Sequence, residues 1–245
     1  MNILGVIPAR YASTRFPGKP LAHIAGKPMI EHVYTRSKMA IDDVVVATDD
    51  IRIFQAVDKF GGKGVMTSEN HNSGTDRCFE ALEIFSKQIN KKFDLVVNIQ
   101  GDEPLIKPQA IKILIDLFSN HEVEIGTLAN VQKYNQEIEN PNRVKIVVEK
   151  SLKAIYFSRS VVPFIRDKKN IEKVDFYTHL GIYAYRTEIL EKIVKLPMSM
   201  LEIAESLEQN RWIENGFKIF VATTDYQSIG VDTPQDIDKI LQIIN

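Results

Sequence analysis

Short apolar segments alternate with helical ones in the first part of the chain, and this alternation restricts the folds that the chain can form. In chain order the predicted elements are strand Asn2–Ile7, helix Pro28–Met39, strand Asp43–Thr48, helix Ile51–Phe60 and strand Gly64–Thr67. Pro8 is predicted to end the first strand, because proline cannot donate a ladder hydrogen bond. A β-α-β-α-β order predicts a parallel sheet with right-handed crossovers. The fold class is therefore α/β.

The rest of the chain continues this pattern and then changes in composition. The further predicted elements are helix Ser73–Gln88, strand Phe93–Ile99, helix Pro108–Phe118, strands Glu124–Asn130 and Arg143–Glu149, helix Leu201–Asn215, strand Phe217–Thr223 and a closing helix to Ile244. Seven aromatic residues fall within residues 156–185. They fit a substrate wall or a subunit interface, although a local core is also common. We predict one domain over residues 1–245, with an insertion at about 150–190.

The charge balance excludes several classes of protein. With 31 basic and 32 acidic residues, the net charge is -1, which suggests no nucleic-acid-binding or membrane-adsorbing surface. No stretch approaches the roughly 18 apolar residues of a membrane helix. No targeting segment is visible, so we expect a cytoplasmic protein. The single cysteine, Cys78, excludes an intramolecular disulfide and a multi-cysteine metal site, and we expect a buried, inert thiol.

Three cations lie close together just after the first predicted strand. Arg10, Arg15 and Lys19 fall within ten residues, with the Ser13 hydroxyl between them. Such a cluster is costly without an anion, and open α/β sheets bind ligands beyond the carboxyl ends of their strands. We interpret the loop as a triphosphate cradle that relies on side chains, because neither common glycine-rich phosphate motif is present. A surface loop of solvated arginines is the alternative.

Two aspartates follow predicted strands and could face this loop. Asp102 follows the strand Phe93–Ile99, and Asp232 lies after the C-terminal strand, just ahead of a helix. If phosphates bind there, a magnesium ion needs one or two carboxylates beside them. The alternatives are a turn aspartate that bonds its own backbone for Asp102 and a helix N-cap for Asp232.

Two further segments carry candidate binding residues. Ser73 and Arg77 lie at a predicted helix start, where amides could meet a base or ribose and Arg77 a phosphate. The alternative is a capped helix in which Arg77 pairs with Glu80 or Glu83. In the aromatic segment, the guanidinium fork of Arg159 matches a carboxylate.

Other polar residues of the second half of the chain have ordinary structural explanations. His179 as a lone histidine is more often a structural hydrogen-bonding group than a catalyst. Glu202, Glu205 and Glu208 recur at helical spacing, which is typical of a solvated face, although some of them could meet sugar hydroxyls.

Eight motifs in order carry a family resemblance over nearly the whole chain. They are Pro8–Pro20, Gly26–Ile30, Ser73–Arg77, Asn98–Pro104, Tyr156–Arg159, His179–Tyr183, Leu207–Gln209 and Gly230–Pro234. Together they closely resemble the 3-deoxy-manno-octulosonate cytidylyltransferases, the CMP-KDO synthetases of Gram-negative bacteria. Two residues depart from the family pattern. Phe16 stands in place of leucine, and Asn210 stands in place of an apolar residue.

The resemblance implies a reaction in which CTP and KDO give CMP-KDO and pyrophosphate, for lipopolysaccharide biosynthesis. It implies a Rossmann-like nucleotidyltransferase fold, a three-layer sandwich with a mostly parallel central sheet, and a homodimer formed through the insertion. The implied catalytic residues are Arg10, Arg15, Lys19 and Asp102, of which the three cations would hold the triphosphate and the leaving pyrophosphate. The implied nucleotide-binding residues are Arg10, Ser13, Lys19, Ser73, Arg77 and Gln100. The implied sugar-acid-binding residues are Arg159, His179, Tyr183, Glu208 and Gln209. The implied Mg²⁺ ligands are Asp102 and Asp232.

Two alternatives remain open at the level of sequence. One is a cytidylyltransferase for another acidic sugar, of the 8-amino-KDO or sialic acid type, because one or two contacts in a sugar pocket decide such a choice. The other is a non-catalytic nucleotide-binding module, against which the presence of both aspartates speaks.

Overall fold

The computed structural model describes residues 1–13, 15–71 and 73–244. The chain divides into two compact units. The first unit comprises Met1–Lys112, Tyr185–Val194 and Ser228–Asn245, and the second comprises Ile113–Ala184 and Lys195–Gln227. The single domain with an insertion at about 150–190 stays a prediction. None of the helices in the described ranges is long and apolar enough to cross a membrane.

Eleven strands and eight α-helices are found in the described residues. The strands are β1 (Ile3–Ala9), β2 (His23–Ile24), β3 (Lys27–Pro28), β4 (Asp43–Thr48), β5 (Gly64–Met66), β6 (Leu95–Asn98), β7 (Ile125–Gln132), β8 (Lys145–Val148), β9 (Ala154–Ser158), β10 (Phe176–Arg186) and β11 (Ile219–Thr223). The helices are α1 (Met29–Lys38), α2 (Ile51–Lys59), α3 (Gly74–Ile89), α4 (Pro108–Asp116), α5 (Thr187–Ile193), α6 (Met200–Glu205), α7 (Glu208–Glu214) and α8 (Pro234–Ile244). Most predicted elements are thus confirmed to within about two residues at each end.

The first unit is built on a parallel sheet in the order β6-β1-β4-β5. The chain moves outward from β1 through β4 to β5, and then returns through α3 to β6 on the other side of β1. Because such crossovers are right-handed, this reversal places α3 on the face opposite α1 and α2. The carboxyl ends of β1 and β6 therefore form a topological switch point, the usual ligand position in open α/β sheets. The predicted α/β class and parallel sheet are confirmed.

The prediction that Pro8 ends the first strand is wrong. β1 continues to Ala9, and Pro8 is paired with Ala47 of β4. The carbonyl of Val6 accepts a hydrogen bond from the amide of Ile99, so Val6 and, by alternation, Pro8 direct their backbone groups towards β6. Since β6 ends at Asn98, no partner strand stands opposite Pro8 on that side. The missing N–H of the proline therefore costs no ladder hydrogen bond.

The second unit has a mixed sheet in which β7 lies between β11 and β10. β11 is parallel to β7, and β8 runs antiparallel to both β9 and β10. The sequence prediction assigned no strands to the aromatic segment, but β9 and most of β10 lie there. Aromatic and β-branched residues favour strands. The density of aromatic residues in this segment is therefore also a strand signal, in addition to the substrate wall, interface or local core considered from sequence.

The predicted helix Leu201–Asn215 is in fact two helices, and this prediction is wrong. α6 ends at Glu205, the next residue, Ser206, adopts a left-handed conformation with φ of 51°, and α7 begins at Glu208. An uninterrupted helix would need the carbonyls of Glu205 and Ser206 as acceptors for amides four residues on. Those two carbonyls instead accept hydrogen bonds from the guanidinium of Arg159. A partner about 46 residues away in the chain thus favours the break.

Candidate active site

The cationic loop after β1 is folded back on Tyr11. The carbonyl of Tyr11 accepts hydrogen bonds from the amides of Ser13 and Gly18, each at 2.9 Å. Gly18 has φ of 72°, where a side chain would be strained, and the Tyr11 ring lies directly against it. The guanidinium of Arg52 stacks on this ring at 3.3 Å from its centre, and Asp50 holds Arg52 in turn. The loop is therefore fixed by contacts to its own first turn and to the start of α2.

Lys19 joins the loop to both predicted metal ligands. Its Nζ lies 2.8 Å from Oδ2 of Asp102 and 3.8 Å from Oδ1 of Asp232, and it donates a hydrogen bond to the carbonyl of Val231 at 2.8 Å. The guanidinium of Arg15 lies 2.9 Å from the same Oδ1 atom of Asp232. Both carboxylates thus form ion pairs with these cations, in place of the turn and helix-cap contacts considered as alternatives.

The segments that carry the two aspartates are tied to each other. The amide of Val231 donates to the carbonyl of Asp102 at 2.9 Å, and the hydroxyl of Ser228 donates to the carboxylate of Glu103 at 2.6 Å. Gly101 lies so close to β1 that a Cβ atom there would stand 2.7 Å from the carbonyl oxygen of Pro8. This approach requires glycine, and it brings the Asp102 turn against the end of β1.

One cavity of about 270 Å³ gathers most of the predicted first-unit residues. Its lining includes Arg10, Ser13, Arg15, Lys19, Gln100, Asp102 and Asp232. A second cavity of about 200 Å³ is lined by Pro8, Ala9, Arg10, His71, Ser73, Gly74 and Arg77. Arg10 lies in both linings. The structure therefore brings the loop cations together with both aspartates at the switch point, and it places Ser73 and Arg77 at the neighbouring cavity.

Arg77 is more deeply embedded than its sequence context indicated. Its side chain is buried and donates to the hydroxyl of Thr67 at 2.6 Å, to the carbonyl of Ser68, and to Asp49 at 2.7 Å. The pairing with Glu80 or Glu83 that the sequence suggested is thus replaced by an ion pair with Asp49. Ser73 is the N-cap of α3, as expected, and accepts a hydrogen bond from the amide of Asp76.

In the second unit, the Arg159 guanidinium is held by backbone carbonyls. Nε donates to the carbonyl of Glu205 at 2.7 Å, and the terminal nitrogens donate to the carbonyls of Pro141 at 3.2 Å and Ser206 at 3.3 Å. These acceptors are neutral, so they orient the fork without neutralising its charge. The side chain remains partly exposed.

His179 and Tyr183 form an aromatic cluster in the same unit. Their rings lie 5.2 Å apart, and each also contacts another ring, Phe157 for His179 and Trp212 for Tyr183. Burial lowers the pKa of His179 to about 3, so the imidazole is neutral at physiological pH. Its Nε2 lies 3.1 Å from the hydroxyl of Thr127, which fits a neutral ring as donor.

Glu208 and Gln209 stand at the first turn of α7. The Glu208 carboxylate pairs with Arg211 at 2.6 Å, and Gln209 is buried. Burial raises the pKa of Tyr183 well above its ordinary value, and the charge of Glu208 adds to that rise. Asn210, which departs from the family pattern, is fully buried and bonds both the amide and the carbonyl of Phe157. It thus satisfies backbone groups of the edge strand β9.

Three further residues hold predicted site residues in place, and sequence reasoning considered only one of them, Glu205, and only as part of a solvated face or as a sugar-hydroxyl contact. Asp236 accepts hydrogen bonds from the amides of Asp232 and Thr233, and hydrogen bonds from Lys239 and Thr233 keep the pKa of Asp236 well below its ordinary range. Glu205 and Lys145 bind the backbone of Arg159. A carboxylate three residues into a helix after threonine is a capping signal that could have indicated Asp236. No sequence pattern indicates Lys145 or the contact between Glu205 and the Arg159 amide.

The donor set at the switch point fits a hard divalent cation. Asp102 and Asp232 come close enough for the Lys19 ammonium to contact both carboxylates, and carboxylate oxygens are the protein ligands that Mg²⁺ prefers. Within the described ranges no group of three or more His, Cys, Asp or Glu side chains is arranged to hold a metal ion. A metal here would therefore need phosphate or water oxygens to complete its shell.

The chain is similar to known proteins over nearly all of its length. A family model described as cytidylyltransferase matches residues 4–219. A 3-deoxy-manno-octulosonate cytidylyltransferase of Parabacteroides distasonis is 51% identical over 100% of this chain and 98% of its own. An 8-amino-3,8-dideoxy-manno-octulosonate cytidylyltransferase of Shewanella pealeana is 48% identical over 97% of this chain and 96% of its own.

A solved structure gives the same result at the level of the fold. It is described as CMP:2-keto-3-deoxy-manno-octonic acid synthetase complexed with CTP, and it matches with a TM-score of 0.92 and 41% identity. The match covers 100% of this chain and 98% of that one. The fold that the sequence resemblance implied is thereby confirmed.

Proposed function

The chain belongs to the cytidylyltransferase family, and on this basis we propose that it transfers CMP from CTP to 3-deoxy-manno-octulosonate (KDO), releasing pyrophosphate. The observation that carries the proposal is one cavity at the switch point of a parallel sheet that gathers three loop cations and two carboxylates. The name of the Parabacteroides relative and the description of the matching structure point to the same sugar acid.

The reaction forms one phosphate ester bond and breaks one phosphoanhydride bond. The anomeric hydroxyl oxygen of KDO attacks the α-phosphorus of CTP and loses its proton, and the bridging oxygen leaves with pyrophosphate. No covalent enzyme intermediate is required. The residues of the chain therefore act by positioning the substrates and by stabilising charge.

We assign the phosphates to the loop cations. Arg10, Arg15 and Lys19 would bind the β- and γ-phosphates and stabilise the charge that develops on pyrophosphate. In the structure, Lys19 and Arg15 pair with Asp102 and Asp232. A triphosphate with its metal would replace these pairs in one exchange, because the phosphates take the cations and the metal takes the carboxylates.

Mg²⁺ is the proposed cofactor. Asp102 and Asp232 would hold it together with phosphate oxygens. When bound, it supplies Lewis-acid stabilisation of the phosphate oxygens and lowers the pKa of the attacking hydroxyl.

The remaining first-unit residues would bind the rest of the nucleotide. Ser13 and Gln100 line the same cavity as the loop cations, and Ser73 lines the neighbouring one. Arg77 also lines that second cavity, but its guanidinium is largely engaged by Asp49 and Thr67. Its proposed part is to shape the wall of the nucleotide pocket.

The second unit would bind the sugar acid. Arg159 offers a fixed cation for the carboxylate, and His179, Tyr183, Glu208 and Gln209 offer neutral and acidic groups for hydroxyls. A neutral His179 suits this part, because it can donate to or accept from a hydroxyl without adding charge.

We further propose a homodimer that forms through the second unit. α6 contains no buried residue, and its Met200 and Ile203 are 75% and 64% exposed. Phe164, in the aromatic segment, is 84% exposed. Apolar side chains exposed to this degree are typical of subunit contacts. With CTP as its substrate, the enzyme would work in the cytoplasm and supply CMP-KDO for lipopolysaccharide biosynthesis.

Pyrophosphate release with a panel of sugar acids tests the function. Purified protein is incubated with CTP, Mg²⁺ and one of KDO, 8-amino-KDO or a sialic acid, and kcat/KM is measured for each. We expect the highest value with KDO. A higher value with another acid would replace KDO as the substrate. No release with any acid would leave a non-catalytic nucleotide-binding module.

Replacing Asp102 tests the metal assignment. Asp102→Asn should abolish turnover and weaken Mn²⁺ binding measured by electron paramagnetic resonance, with unchanged circular dichroism. Asp58→Asn, at an exposed position on α2, serves as the control and should match the wild type. Near-normal turnover of Asp102→Asn would contradict the assignment.

A further inference from the structure

Lys145 is a fully buried lysine in β8 with an unusual set of partners. Its Nζ donates to the carbonyl of Arg159 at 2.6 Å and to the carbonyl of Asn140 at 3.2 Å. Burial lowers the pKa of Lys145, and the charge of Glu205 acts in the opposite direction. A buried ammonium is costly, and an apolar residue of similar volume is often as stable or more so. Stability alone therefore does not account for a lysine at this position.

Glu205, at the end of α6, binds the opposite side of the same residue. Its Oε2 accepts a hydrogen bond from the amide of Arg159 at 2.9 Å. Its Oε1 accepts from the hydroxyls of Ser158 at 2.6 Å and Tyr156 at 3.1 Å. Burial by itself would raise the pKa of Glu205, but these hydrogen bonds hold it below its ordinary value. The carboxylate is thus charged. It accepts hydrogen bonds from two hydroxyls of β9 and from the amide of the residue that follows β9.

The backbone of Arg159 is therefore held from both sides by charged groups, its amide by a carboxylate and its carbonyl by an ammonium. Its guanidinium donates to the carbonyls of Glu205, Pro141 and Ser206. A guanidinium has five N–H donors, and these contacts account for three. One N–H on each terminal nitrogen is then left for a ligand, which is the arrangement that binds a carboxylate through two hydrogen bonds.

We propose that Lys145 and Glu205 are positioning residues for Arg159, and that together they hold its guanidinium in the orientation that binds the carboxylate of the sugar acid. This inference rests on the proposed function. It assigns to two residues outside the substrate-contacting set the task of fixing the direction of the fork. Fixing the fork beforehand reduces the entropy lost when the acid binds.

The kinetic signature is selective for one substrate. Glu205→Gln removes the negative charge that accepts the hydrogen bond from the Arg159 amide, and it can place an amide N–H donor against that amide. We therefore expect the KM for KDO to rise about tenfold or more. The KM for CTP should stay within about twofold, because the nucleotide residues lie in the first unit. Lys145→Met keeps the volume of the side chain and should act in the same direction. Glu205→Asp restores the carboxylate and should recover part of the affinity.

A double-mutant cycle separates positioning from a general structural role. In an Arg159→Ala background, Glu205→Gln should raise the KM for KDO no further, because its effect acts through the missing guanidinium. The matched control is the partly exposed pair of Lys153 and Glu149, 2.8 Å apart in the same unit. Lys153→Met and Glu149→Gln should leave both KM values unchanged.

Several outcomes would overturn the inference. One is full additivity with Arg159→Ala, and another is an equal rise in KM for CTP and for KDO. If Lys145→Met shows no cooperative thermal transition, Glu205→Gln, on a partly exposed residue, decides the question. Wild-type protein is assayed first. Its failure to use any acidic sugar would refute the proposed function and this inference together, whereas normal wild-type turnover with additive variants would refute the inference alone.

Discussion

Lys19 connects the loop to both aspartates and to the backbone carbonyl of Val231. In the proposed reaction it exchanges a carboxylate for a phosphate, so its charge is used in both states. An arginine would not replace this lysine, because its planar guanidinium is larger than an ammonium group and needs more space at this position.

Lys19→Ala should raise the KM for CTP by roughly 10- to 100-fold and lower kcat, because a phosphate contact and leaving-group stabilisation are lost together. Steady-state kinetics with varied CTP measures both. The control is Lys27→Ala, which removes an exposed lysine paired with Glu31 in the same unit. Unchanged kinetics for CTP in Lys19→Ala would exclude the loop from the mechanism.

His179 gives a pH prediction with a defined sign. Its pKa falls from 6.5 in the unfolded chain to about 3 in the folded protein. Between these values only the unfolded state binds the proton, so its contribution to stability is complete above pH 6.5 and is lost as the pH falls towards 3. Urea unfolding at a series of pH values should show a smaller acid loss in His179→Gln than in wild type. Identical slopes would contradict a buried neutral imidazole.

At the scale of elements, the site depends on how closely the β6 turn approaches β1. Gly101 allows the turn to pass against the Pro8 carbonyl. The β1 loop, the Asp102 turn and the segment before α8 are then joined by Lys19 and by the hydrogen bond from Val231 to Asp102.

Gly101→Ala should reduce kcat/KM by about tenfold or more, because the added Cβ cannot fit 2.7 Å from a backbone oxygen and must displace the Asp102 turn. Gly230→Ala is the matched control in the same site. Its Cβ would lie 3.9 Å from the carbonyl of Asp102, an ordinary contact, and activity should be kept. Equal activity of the two variants would show that the close approach is unimportant.

At the scale of the whole molecule, exposed apolar side chains of the second unit support the proposed dimer. Light scattering after gel filtration should give twice the mass of one chain. Ile203→Asp should shift the protein to the monomer, because a charge would be buried at the contact. Met39→Asp, at an equally exposed apolar residue of the first unit, should remain dimeric. A monomeric wild type would refute the proposal.

Elements that depend on local patterns could be predicted from the amino-acid sequence. The bounds of β4 were predicted without error, because its β-branched run and the N-cap of the following helix, Asp50, are contiguous in the chain. The cationic loop and the two aspartates were also found from sequence, since each follows a strand and carries charge that needs a partner. The α/β class followed from the same local order.

Features that depend on residues far apart in the chain could not be predicted from local sequence patterns. The continuation of β1 through Pro8 depends on where β6 ends, and the division of α6 from α7 depends on a guanidinium that takes two helix carbonyls. Asn210 is accommodated in the core because its side chain hydrogen-bonds the amide and the carbonyl of Phe157 in the edge strand β9. Hydrogen bonds and ion pairs between residues far apart in the chain have no sequence period, so local patterns cannot reveal them. Folding alone brings their partners together.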